Sequence, residues 1–145
     1  MKQIFINLPV NDLEKSLQFY LALGLTLHPL FTDEQQKCVI WSDAIYLMIQ
    51  SKQFANTYLN RSAEKVDKPL SISHTLPVAS IEIVNSMVEA VIKLGATEPV
   101  PVLDEPFMYL RSVEDLDGHL WGIMYLDVEK FIIHSTPNLS LKAPK

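Results

Sequence analysis

Residues 107–127 read FMYLRSVEDLDGHLWGIMYLD, and this stretch decides how the chain folds. Met108 to Val113 has the composition of a strand, rich in branched and aromatic side chains. Asp117-Gly118 favours a tight turn, because glycine tolerates the positive φ such turns need. His119 to Leu126 then reads as a second strand, with apolar residues on both faces. Successive side chains of a strand point to opposite sides, so Trp121, Ile123 and Tyr125 oppose Leu120, Gly122 and Met124.

Working outward from this segment, the chain contains a repeat. Phe5-Ile6-Asn7-Leu8-Pro9-Val10 precedes a helical run ending at Leu23-Gly24. Ser73-His74-Thr75-Leu76-Pro77-Val78 precedes another, ending at Leu94-Gly95. The spacing of Leu13, Leu17, Tyr20 and Leu21 predicts a helix over 13–23 with Asp12 as its cap, and Gly24 supplies a left-handed stop. Val84, Met87, Val88 and Val91 predict a second helix over 81–94, capped by Ser80. Strands are expected at 26–31, 37–42 and 44–50 in the first half, and at 98–103, 108–113 and 119–126 in the second. Each half is therefore βαβββ, a unit that cannot bury both faces of its own sheet. The expected fold is α+β: two such modules, about 1–50 and 70–127, form paired half-barrels around a shared cavity with helices outside. Residues 51–69 read as a linker with room for one short helix, and 128–145 as a tail without periodicity, containing Pro137 and Pro144.

Alternation also sorts the faces. Ile4, Ile6, Leu8 and Val10 form an apolar row suited to a covering helix, which leaves Phe5 and Asn7 toward the cavity. The same argument assigns Tyr46, Met48, Ser73, Thr75, Gly122 and Met124 to the cavity wall. That wall is mostly apolar with a few neutral polar groups, which describes a small-molecule pocket; the alternative is that these side chains plug the sheet interior.

The bulk composition excludes several classes of function. The 145 residues suit one domain, and 48% hydrophobic against 20% charged content is that of a folded chain. The net charge is -5 and no Lys/Arg cluster falls on a predicted element, so nucleic acid is not an expected partner. No apolar run approaches the ~20 residues of a membrane span, and MKQIFINLPV does not have the form of a signal peptide. Cys38 is the sole cysteine and cannot form an intrachain disulfide, which fits a reducing, cytoplasmic setting.

Val10 to Tyr20, VNDLEKSLQFY, resembles the opening motif of the vicinal oxygen chelate superfamily, and residues 107–127 resemble the closing motif of its glyoxalase-like bacterial subgroup. The superfamily includes glyoxalase I, bleomycin- and fosfomycin-resistance proteins and extradiol dioxygenases. The resemblance spans about residues 1–127. It implies a homodimer, for which the region around Phe54 and Tyr58 is a candidate contact. It also implies positions for a divalent metal: Phe5 and Ser73 on the first strands, Tyr46 or Met48 and Gly122 on the last. None of these supplies a hard donor, Ser and Tyr being weak ones when neutral, so neither metal nor other cofactor is expected.

The remaining polar residues have structural alternatives. A one-residue slip would bring His74 into the cavity; otherwise it sits beneath the second helix. His119, Asp115 and Asp117 fit turn chemistry. Arg111 could grip a carboxylate ligand or pair with Glu114, while His28 and His134 are expected to be exposed. The expected function is binding of a small, largely apolar molecule, with ligand contacts from the cavity residues, Tyr109 and Arg111. The alternative is a metal-dependent lyase or dioxygenase using His74, Glu105 or His119. A metal-free enzyme employing Tyr109, Arg111 or Asn7, and an interaction protein with a plugged cavity, are further readings. No catalytic residue is assigned.

Overall fold

The computed structural model describes residues 2–59 and 72–135. The first module contains β1 (Ile4–Val10), α1 (Leu13–Leu23), β2 (Thr26–Leu27), β3 (Gln36–Ser42), β4 (Ile45–Ser51) and α2 (Lys52–Leu59). The second contains β5 (Ser73–Pro77), α3 (Ile81–Ile92), β6 (Leu103–Glu105), β7 (Met108–Glu114), β8 (Leu120–Leu126) and α4 (Val128–Ser135). Each module has one four-stranded sheet, ordered β1-β4-β3-β2 and β5-β8-β7-β6. The first and last long strands run parallel, and the others are antiparallel.

Local chemistry accounts for these elements. Asp12 accepts the Lys15 N–H at the start of α1, and Ser80 accepts that of Ile83 at the start of α3. Gly24 and Gly95 adopt positive φ just past the two helices. α1 buries Leu17, Phe19, Tyr20 and Leu23. α3 buries Val84, Val88 and Val91. Each such side chain contributes roughly 1.5–3 kcal/mol on leaving water. α1 covers one face of the first sheet and α3 one face of the second, and the two helices also pack on each other. One continuous core results, joining Leu8, Val10, Leu47 and Ile49 to Val113, Trp121 and Ile123.

Three expectations need correction. The strand expected over 26–31 stops at Leu27, and Pro29–Phe31 form a 3-10 turn. Proline lacks the N–H a ladder needs and its fixed φ suits a first helical turn. The strand expected over 98–103 is reduced to Leu103–Glu105, since Pro99 and Pro101 remove ladder donors. The expected aperiodic tail instead begins with α4. Its start is set by Asp127, whose carboxylate accepts the Lys130 N–H, and Phe131 packs on Phe107. Helix α2 occupies the start of the expected linker, packing on β1 and β4. The rest of that linker, and the prolines of the tail, lie outside the described residues.

Candidate functional site

On the first sheet, register fixes which residues share the face opposite α1. Phe5 lies beside Tyr46 and then Ile40; Asn7 lies beside Met48 and then Cys38; Pro9 lies beside Gln50 and then Gln36. The Phe5 and Tyr46 rings stack, with centroids 4.6 Å apart. Phe31, on the 3-10 turn, stands perpendicular to Phe5 at 6.2 Å. His28 joins the cluster against Phe31 and Tyr46. Phe5 remains 44% exposed and Phe31 41%. The sequence reading identified Phe5, Asn7, Tyr46 and Met48 as one face, and they are. It left Phe31, Gln36 and Gln50 out of the cavity wall, although it put Gln50 on the Tyr46–Met48 face, and it expected His28 to be exposed. His28 is half-buried, with Nδ1 enclosed and unpartnered, because the 3-10 turn folds its ring onto the sheet. Gln50 was legible as the next residue in the Tyr46–Met48 alternation.

On the second sheet the face opposite α3 holds Ser73, Thr75, Leu110, Ser112, Gly122 and Met124. A Cβ on Gly122 would lie 3.0 Å from Leu110 Cδ1 and 3.1 Å from Thr75 Oγ1, so these two side chains flank a shallow floor formed by the glycine backbone. Ser73, Thr75, Gly122 and Met124 thus share a face as expected.

Tyr109 and Arg111 do not join them, and this is a correction. Arg111 lies beside Ile123 on the helix-covered face and is only 8% exposed. Its guanidinium donates to Glu98, to Glu89 and to Asn85 Oδ1, and Tyr109 donates to that same Asn85 oxygen. Hydrogen bonds to Glu98 raise its already high pKa, against the effect of burial. Arg111 therefore ties the segment after α3 back to the helix. Its ion-pair partners are Glu98 and Glu89, where Glu114 had been expected.

The closing turn joins the modules. Asp115 Oδ1 accepts the backbone N–H groups of Asp117 and His119, which is turn chemistry. Its Oδ2 accepts the buried Tyr20 hydroxyl at 2.5 Å, and that hydroxyl in turn accepts Trp121 Nε1–H at 3.0 Å. Burial first, then the Asp115 charge, pushes the Tyr20 hydroxyl far above its ordinary pKa. Asp117 accepts the Asn11 N–H, and His119 Nε2 meets the Pro9 carbonyl at 2.8 Å. His119 and the two aspartates therefore do more than shape a turn: they fasten it to the end of β1 and to α1. His74 packs on Trp121 beneath this network, where burial and then His119 lower its pKa. Its register beside Trp121 keeps it off the face that carries Ser73.

The positions at which the resemblance implies a metal do not fit one. Phe5 is stacked on Tyr46, Met48 offers a thioether, Ser73 lies beside Leu120, and Gly122 has no side chain. Among the described residues no three of His, Cys, Asp or Glu gather to hold an ion. Cys38 is fully buried, and burial raises its thiol pKa, which opposes thiolate chemistry. Described residues line two surface grooves among others. The larger, about 660 Å³, runs between Glu14, Lys15 and Gln18 of α1 and Lys93, Leu94 and Leu116. No described helix is long and apolar enough to cross a membrane.

Comparison with known proteins agrees with this architecture. Residues 2–41 match the family model for the bleomycin resistance protein-like N-terminal domain. No curated protein matches the chain in sequence. Among solved structures, hypothetical protein SA1046 from S. aureus is similar with a TM-score of 0.71 at 23% identity, over 86% of this chain and 94% of that one. A glyoxalase/bleomycin resistance protein/dioxygenase family enzyme from Burkholderia phytofirmans gives 0.73 at 13% identity, over 87% and 99%. A glyoxalase-related enzyme from Fulvimarina pelagi gives 0.71 at 22% identity, over 86% and 88%. The chain thus begins with a bleomycin resistance protein-like sequence and carries, across both modules, the fold of the vicinal oxygen chelate superfamily.

Proposed function

We propose that this chain binds a small, largely apolar molecule on the sheet faces opposite α1 and α3, without a divalent metal, as a cytoplasmic homodimer. The observation that carries the reading is the composition of those faces. They present Phe5, Phe31 and Tyr46 on one sheet and Leu110 and Met124 on the other, with neutral polar groups between them. Apolar walls with few polar anchors are what small-molecule sites are made of. The same positions lack hard donors, which supports sequestration or carriage over metal-assisted chemistry. Dimerisation would give these faces a cover, and a second copy is the natural one given the implied homodimer.

Thermal unfolding against a panel of apolar small molecules tests the reading. A ligand present at about 100 times its Kd should stabilise the fold by about 2.7 kcal/mol. No shift across a broad panel would count against binding. An equimolar divalent ion in the purified protein, whose removal lowers the melting temperature, would favour the metal-dependent lyase or dioxygenase reading instead. Sedimentation as a monomer at micromolar concentration would remove the homodimer.

A further inference from the structure

We infer that the first-module face takes a flat, uncharged aromatic molecule carrying an oxygen acceptor, with the ring held at Phe5 and Phe31 and the oxygen at Asn7. This rests on the small-molecule reading above and narrows it to a ligand class. The rings of Phe5 and Phe31 meet at 86°, forming a right-angled corner in which both stay substantially exposed. A planar molecule laid on Phe5 would stack with it and present its edge to Phe31, the two arrangements aromatic rings prefer. The floor is preset: Tyr46 stacks behind Phe5, and its hydroxyl accepts a hydrogen bond from Gln3.

The polar end is equally specific. Asn7 is exposed and lies two residues along β1 from Phe5, on the same face. At about 3.4 Å per residue that is about 7 Å from the ring corner. Its carbonyl oxygen is taken by Gln50 Nε2 at 3.4 Å, so the Asn7 amide N–H₂ is the group turned to a ligand, and it needs an acceptor. Charge settles what kind. Among β1, β3 and β4 the one charged side chain is Lys37, which points to the opposite face and pairs with Glu14. A carboxylate bound beside Asn7 would find no lysine or arginine on this face of the three strands to offset its loss of water, whereas a ketone, ester or amide oxygen needs none.

The test is equilibrium dialysis of three naphthalenes against the full chain: 2-acetylnaphthalene, 2-ethylnaphthalene and 2-naphthoate. The ketone should bind about 3- to 10-fold more tightly than the hydrocarbon, the range of one neutral hydrogen bond, and the carboxylate most weakly. Asn7→Asp exchanges the donor for an acceptor on an exposed side chain, and should erase the ketone's advantage over the hydrocarbon. Phe5→Leu should weaken all three by about 3- to 10-fold. Melting curves of both variants establish that they are folded. If no naphthalene binds while another member of the apolar panel does, the ligand class assigned here is overturned and the small-molecule reading stands; if nothing in the panel binds either, both fail. If the hydrocarbon equals the ketone, if the carboxylate binds best, or if Asn7→Asp changes nothing, that reading stands and the ligand class assigned here is overturned.

Discussion

The matched Leu8-Pro9-Val10 and Leu76-Pro77-Val78 triplets put the two modules in residue-by-residue correspondence. Phe5 then matches Ser73, Asn7 matches Thr75, Tyr46 matches Leu120, and Met48 matches Gly122. On the other faces Ile6 matches His74 and Leu47 matches Trp121. On the matched strands β1 and β4, the first module places its rings, Phe5 and Tyr46, on the face opposite its helix. The second places its largest rings under its helix and keeps the opposite face small. A βαβββ backbone requires only that one face of each sheet be buried; what stands on each face is free to diverge. One repeat carries an exposed aromatic wall, and the other carries the joint.

The joint should show the largest effects. Trp121 is fully buried and donates to Tyr20 across the modules. Trp121→Ala should cost about 3–5 kcal/mol in denaturant unfolding, with both modules melting together. Leu47→Ala, at the corresponding position, should cost about 2–5 kcal/mol without touching that contact. A tryptophan variant clearly milder than the leucine variant would break the assignment of the joint to the second module. Tyr20→Phe isolates the polar part of the same network. It removes the hydroxyl between Trp121 and Asp115 and should cost about 1–3 kcal/mol, because a buried acceptor and donor lose their partner.

The sequence made these two faces legible to different degrees. Helix ends followed from Asp12, Ser80, Gly24 and Gly95, whose capping chemistry is local. The face alternation on β1, β4, β5 and β8 followed from period two, so Phe5, Asn7, Tyr46, Met48, Ser73, Thr75, Gly122 and Met124 were sorted correctly onto faces opposite the helices. Arg111 and Tyr109 were misplaced because β7 alternates apolar and polar residues on both faces, and a buried arginine is visible only once Glu89 and Glu98 are known to reach it. The Tyr20–Asp115 bond joins residues 95 positions apart, and no local pattern signals it. His28 and Phe31 entered the aromatic corner through a proline-initiated turn that the strand expectation had overridden.

His74 sharpens the comparison through pH. Its partner in the other module, Ile6, cannot titrate. Burial, then repulsion from His119, depresses the His74 pKa below the ordinary value of 6.5. The unfolded chain therefore binds the proton more readily. Stability is fully present above about 6.5, an unperturbed imidazole's value, and is lost as pH falls through the folded-state pKa. Melting temperatures measured from pH 7.5 to 5 should fall for the natural chain. His74→Ile, which gives the second module the first module's residue, should flatten that fall, and equal slopes would remove His74 as the cause.

The smallest expected effect lies at Gly122, where the modules differ by a whole methionine side chain. An added Cβ would press Leu110 Cδ1 and Thr75 Oγ1, both ends of side chains able to give by a few tenths of an ångström. That cost sits near the low end for overpacking, about 1 kcal/mol. Gly122 is not among the glycines with positive φ, so alanine also stabilises by restricting the unfolded chain, by about 0.4–1 kcal/mol. The two nearly cancel, and Gly122→Ala should leave stability within about 1 kcal/mol of the natural chain. A near-neutral result would mean that the second-module face has slack at its centre, as a shallow floor should. A loss of several kcal/mol would mean instead that Thr75, Leu110 and the glycine backbone are packed as tightly as a core, and the face would then be a sealed surface with no room for a ligand.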